Sequence, residues 1–184
     1  MYHGAARSAE KSVNYPIQQA LALLEKTAIL LETLLRGLPE DLLHWKPAPE
    51  RWSIAEVLGH LADIEQLYAD RTRRMVTEDM PRLQRFEPAK TEGRGDAMLA
   101  NAAENLEVFH RARRATLVLL RSIPPDSGER RAVHSELGEI TLREMLHEWA
   151  SHDLGHLRQI AELYRAHAFH PHAGPFRKYS NIKP

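Results

Sequence analysis

Apolar residues recur along this chain with the spacing of one helix face, in four long blocks. From about Pro16 to Leu35, the residues Ile17, Leu21, Leu24, Ile29, Leu30, Leu31, Leu34 and Leu35 form a broad stripe, and Gly37-Leu38-Pro39 ends it. The second block opens at Ser53-Ile54-Ala55-Glu56, where serine and the glutamate three residues on can satisfy each other's free amides as a capping box. Its stripe of Ile54, Val57, Leu58, Leu61, Ile64, Leu67 and Tyr68 leads to about Asp79, before Pro81. The third opens near Asp96, after Gly93-Arg94-Gly95, and runs to about Ser122 ahead of Pro124-Pro125. The fourth starts with another capping box, Thr141-Leu142-Arg143-Glu144, and carries Leu142, Met145, Leu146, Trp149, Leu157, Ile160, Leu163 and Tyr164 to about Ala166. Four amphipathic helices with defined stops predict an all-α four-helix bundle. Arg130 to Ile140 reads as a short extended piece or turn with Gly138 as its bend, too short to define a sheet.

The polar residues interrupting these stripes carry the candidate chemistry. His152 and His156 are one helical turn apart on the same side, at the edge of the fourth apolar arc, and Glu148 and Gln159 extend them into a polar strip. Burying such a strip without partners would cost about 1–3 kcal/mol for each unsatisfied group. His60 stands at the margin of the second arc with Asp63 beside it, and both His60 and His156 follow a glycine, Gly59 and Gly155. A glycine inside a helix costs roughly 1 kcal/mol against alanine, so its use twice here implies close helix approach or room for a ligand. Three imidazoles meeting from two helices would offer neutral nitrogen ligands to a transition metal and leave at least one coordination position free. Asp63, Glu148 and Gln159 are then the candidates for orienting the rings or a bound reactant. Hydrogen-bonded histidines at helix margins are the competing account, since 11 histidines allow the spacing to arise by chance.

A second metal pattern is present. Glu107-x-x-His110 and Glu144-x-x-His147 have the spacing of di-iron carboxylate bundles, with Glu25 or Glu32 and Glu56 or Glu65 as further carboxylates. The helical period turns His147 away from the apolar arc, which disfavours that site. His167, His170 and His172 form a histidine-rich tail without a scaffold. The basic groups Arg71 to Arg74 and Arg111 to Arg114 read as solvated helix faces.

Composition narrows the function classes. Of 184 residues, Lys plus Arg and Asp plus Glu number 25 each, which gives no bulk attraction to nucleic acid or to an anionic membrane. The length suits a single domain, 1–184, with an N-terminal extension over 1–14 and a tail over 168–184. With no cysteine, disulfides, thiolate metal sites and a cysteine nucleophile are excluded, and a reducing cytoplasm is the expected location. Met1 to Tyr15 has no apolar signal core, and no run is long enough to span a bilayer. The connection from Pro81 to Gly95, with Phe86, Lys90 and Arg94, is long enough to form a lid or pocket rim.

Residues Trp52 to Glu65, the stretch from His134 through Gly138 and Thr141 to Leu146, and Trp149-Ala150-x-His152-Asp153-x-x-His156-x-x-Gln159-Ile160 together resemble the DinB-like family of metal-binding four-helix bundles. The tail Gly174 to Tyr179 is similar to a segment often seen at the end of such chains. The resemblance implies a four-helix bundle with a divalent metal held by His60, His152 and His156 in an internal cleft, often within a homodimer. It also implies a thiol S-transferase using a low-molecular-weight thiol, or a hydrolase, acting on a small molecule. Zinc is the default ion by availability, with nickel, iron and manganese also open. A non-catalytic metal- or small-ligand-binding stress-response bundle is the alternative.

Overall fold

The structure, a computed structural model, describes residues 17–86 and 101–179. Four long helices make the bundle: α1 (Ile17–Leu35), α3 (Ile54–Thr77), α4 (Ala102–Ser122) and α5 (Leu142–Tyr164), with the short helix α2 (Glu40–His44) after α1. Both expected capping boxes are formed, Ser53 with Glu56 and Thr141 with Glu144. They fix the first turns of the two helices that carry the histidines. The third helix begins later than expected. Asn101 caps α4 by accepting from the Glu104 amide, and Asp96 lies outside the described residues, as do the N-terminal extension, Lys90, Arg94 and the last residues of the tail.

α1 and α3 each pack against both α4 and α5, so the first two long helices face each other diagonally across the bundle. Trp149, Phe109, Leu24, Leu31, Leu58 and Leu61 fill the centre and are fully buried. Most positions of the apolar stripes point inward as their periodicity predicts, but Ile29 and Leu30, counted in the first stripe, are 65% and 48% exposed, so the buried arc of α1 is the narrower one through Leu24, Leu31 and Leu35. Among the described residues no helix is long and apolar enough to cross a membrane.

The expectation that no sheet forms is corrected. β1 (Arg82–Leu83), β2 (Arg131–His134) and β3 (Gly138–Thr141) make a three-stranded sheet in the order β1-β2-β3. β2 and β3 are an antiparallel hairpin, and Gly138, opposite His134, has φ +77, a conformation that favours glycine. β1 joins β2 in parallel, pairing Leu83 with His134. A two-residue strand with a non-local partner has no periodicity to read, and for that reason the sequence conceals it. The sheet anchors the segment that follows α3 and places Phe86 beside His60.

The solvated-face reading of the arginine groups is also corrected. Arg73 and Arg114 are exposed, but Arg71 is 8% exposed and Arg113 only 1%. Arg113 donates from Nε and Nη2 to the two Glu65 carboxylate oxygens at 2.9 and 2.7 Å, from Nη2 to Asp153 at 2.8 Å, and from Nη1 to the Leu24 carbonyl at 2.7 Å. One guanidinium on α4 thereby ties together α3, α5 and α1. Asp153 precedes Leu154 and follows His152, so this bond fixes the rotation of α5 at the histidines. Arg71 donates to the Gln84 carbonyl and contacts His134 Nε2 at 3.4 Å, pinning β1 and the hairpin to α3.

Candidate metal centre

His60, near the start of α3, and His152 and His156, midway along α5, come together although 92 residues separate the first two. The Nε2 atoms of His60 and His152 are 3.1 Å apart, those of His156 and His152 3.2 Å, and all three donor atoms lie within 4.8 Å of one another. Among the described residues this is the one group of His, Cys, Asp or Glu with metal-binding proximity.

The donor set fits a metal ion. Burial is the main reason His60 falls to about 4 and His152 to about 3, with the neighbouring imidazoles adding to it, and burial also lowers His156. Near neutral pH all three rings are uncharged, the form that ligates. His156 Nδ1 lies 2.9 Å from Gln159 Oε1; with the amide oxygen accepting, Nδ1 carries the proton and Nε2 presents its lone pair. His152 Nε2 faces two other Nε2 atoms, and a single ring proton can satisfy only one of them. The two near pairs, at 3.1 and 3.2 Å, bring the nitrogens close enough to serve one ion in common.

Aromatic rings enclose the triad. Trp52 lies 4.9 Å from the His60 ring and stacks at 14° on His156 at 6.2 Å, while Phe86 meets His60 edge-on at 5.7 Å. Tyr68 contacts His152 edge-on and stacks on Trp149. Burial, with the charge of Glu148 adding, pushes the Tyr68 hydroxyl up to about 12, so it stays protonated near neutral pH. Beside His152 and His156 a cleft of about 600 Å³ opens, lined by Trp52, His152, Gly155 and His156 among others.

The other expected site residues are placed unequally. Gln159 bonds His156. Asp63 is half-buried one turn along α3 from His60, and Glu148 is exposed one turn before His152. Gly59 is buried within α3, as close helix approach requires, whereas a Cβ at Gly155 would meet nothing within 4 Å and would face the cleft. Gly155→Ala should therefore stabilise the protein by up to about 1 kcal/mol while leaving metal content unchanged, as denaturant unfolding and elemental analysis would show. A destabilised variant would mean that the helix needs the glycine for packing.

The di-iron pattern does not assemble. Glu144 and Glu56 are in the capping boxes, Glu65 is bound to Arg113, Glu25 pairs with Arg121, and His110 bonds the Ala28 carbonyl. The residues that sequence reasoning missed are Arg113, Glu65 and Asp153. A signal for them was available: Arg113 falls on the same arc as Phe109 and Leu120, and Asp153 on that of Trp149 and Ile160.

Comparison with known proteins adds independent findings. The family model described as the DinB superfamily matches residues 23–160. A protein of Geobacillus kaustophilus (strain HTA426) named "Putative metal-dependent hydrolase GK0616" is 28% identical over 149 residues, covering 80% of this chain and 83% of its own. The uncharacterized protein YuaE of Bacillus subtilis (strain 168) is 27% identical over 143 residues, covering 70% of this chain and 87% of its own. The solved structure of YfiT from Bacillus subtilis, described as a probable metal-dependent hydrolase with an unusual four-helix bundle topology, shares the fold. Its TM-score is 0.73 at 21% identity, covering 89% of this chain and 93% of that one.

Proposed function

This chain belongs to the DinB superfamily, and from that premise we propose that it is a divalent-metal-dependent enzyme whose ion is held by His60, His152 and His156. The convergence of three uncharged imidazole nitrogens beside an open cleft is the observation that carries this reading. The names of the Geobacillus relative and of YfiT support a hydrolase. Transfer of a thiol to a small electrophile is the other reaction the site suits, and with no cysteine in the chain that thiol must come from a cosubstrate.

When bound, the ion supplies Lewis acidity and lowers the pKa of a water or thiol that reaches it. The chain's own residues prepare the place. Burial keeps the three imidazoles unprotonated, Gln159 holds the tautomer of His156, and Trp52 and Phe86 shield the His60 side from water. The cleft gives a small molecule access to the remaining side. Asp63 and Glu148, each about one helical turn from a ligand, are the carboxylates proposed to take up or release a proton.

The test is elemental analysis of untagged protein followed by assay of the metal-loaded form with ester, amide and thiol-plus-electrophile substrates. Turnover dependent on the ion and lost in His156→Ala is the expected result, and turnover that survives this substitution would overturn the mechanism. Gln159→Leu should keep the fold but weaken metal binding about 10–100-fold, measured by competition with a chelator. An unchanged affinity would remove the orienting role from Gln159.

A further inference from the structure

The cleft beside the triad has a charge pattern that bears on what enters it. Arg51, from the segment leading into α3, and Arg158, from α5, both line it together with Trp52. Among the described residues neither guanidinium forms a side-chain hydrogen bond or an ion pair. Arg73, Arg114 and Arg121, exposed elsewhere on the surface, each engage a carboxylate. The acidic residue on the cleft wall, Glu162, is an ion-pair partner of Arg165 at 3.6 Å. Two uncommitted cations therefore face the same space as the planar indole of Trp52 and the rings of His152 and His156.

A carboxylate or phosphate is the group such a pair of guanidiniums recognises, through planar, paired N–H donors. A tryptophan face next to them accepts a flat or apolar body. Gly155 leaves its part of the cleft wall without a side chain, and its Cβ position is open.

We propose that this cleft binds small anionic molecules, carboxylates with a planar or apolar body, with Arg51 and Arg158 gripping the anionic group, Trp52 lying against the body, and the opposite end directed at the histidines. This names the substrate class of the metal-dependent reaction proposed above and rests on that reading only for the chemistry, since the two arginines are present whether or not an ion is bound. Arg51 and Arg158 act here as specificity-determining residues. The bond that reacts is then one carried by an acid, such as an amide, ester or electrophilic carbon displaced from the carboxylate by the width of the cleft.

Calorimetric titration with benzoate and with its neutral isostere benzamide tests the proposal, using the full chain both stripped of metal and loaded with zinc. Benzoate should bind the stripped protein at least about tenfold more tightly than benzamide, a difference of about 1.4 kcal/mol. Arg51→Gln and Arg158→Gln should each reduce benzoate affinity several-fold without altering benzamide binding or zinc content. Gly155→Leu should block both ligands while zinc still binds. Equal affinity for the two ligands, benzoate binding indifferent to both arginine substitutions, or no benzoate binding at the highest soluble concentration would each overturn the proposal. Benzoate binding that appears only with zinc and ignores the arginines would overturn it too, by placing the carboxylate on the ion. If the stripped protein binds benzoate through the arginines but takes up no metal, the metal-dependent reading fails while this one stands.

Discussion

His152→Ala is expected to abolish metal binding and with it all metal-dependent stabilisation. His152 is the hub of the triad, with its Nε2 3.1 Å from that of His60 and 3.2 Å from that of His156, so its loss leaves two donors with no third between them. In the intact protein, an ion that binds only the folded state adds about 4 kcal/mol to unfolding stability at a free concentration a thousandfold above its dissociation constant. The variant should show no such gain. In the absence of metal its stability should shift by no more than the common range of about 0.5–3 kcal/mol for a point substitution. Parallel denaturant titrations of both proteins, with and without zinc, give the comparison. A variant that still gains several kcal/mol from zinc would mean that the ion sits elsewhere.

Arg113→Leu should be the most damaging substitution away from the triad. It removes the shared counter-ion of Glu65 and Asp153, which are 0% and 1% exposed, and breaks the only described bond to the Leu24 carbonyl from this guanidinium. Leaving buried charges uncompensated costs about 3–5 kcal/mol, a large part of the roughly 5–15 kcal/mol by which a domain is stable. The pH dependence distinguishes this cause from simple loss of packing. Burial already raises Asp153 to about 6 although Arg113 opposes it. A carboxyl raised in the folded state stabilises below its unfolded pKa, and that contribution is lost as pH rises through the folded value. Without Arg113 the Asp153 carboxyl rises further, so the deficit should shrink between pH 7 and pH 5. Replacing Glu65 and Asp153 by leucine in the same variant should recover most of the loss, because an apolar core needs no counter-ion there. A deficit below about 1 kcal/mol, or one independent of pH, would count against a charge-based role.

The bundle was legible because helix stops and capping boxes are local. Ser53-Glu56 and Thr141-Glu144 satisfy backbone groups three residues away, and the apolar arcs of α3 and α5 repeat at the helical period; both are written in consecutive residues. The pair His152 and His156 was legible for the same reason. The sheet was not, since Leu83 pairs with His134, a partner far away in the chain that no local pattern marks. Arg113 was misread because its neighbours Arg111 and Arg114 suggest a basic surface, while its position on the arc with Phe109 and Leu120 argues for the interior. For an arginine, charge type suggested solvent and position dictated burial, and position prevailed because two carboxylates were available inside.

By itself the sequence determined the four helices, their inward faces and the one-turn spacing of His152 and His156, because hydrogen bonds and periodicity act over a few residues. Only the tertiary structure decided that His60 meets them, that Trp52, Arg51 and Arg158 share their cleft, and that Arg113 locks the rotation of α5. Each of those depends on how helices distant in the chain turn about their axes when packed, and that rotation is set by the fit of side chains and buried charges from all four at once.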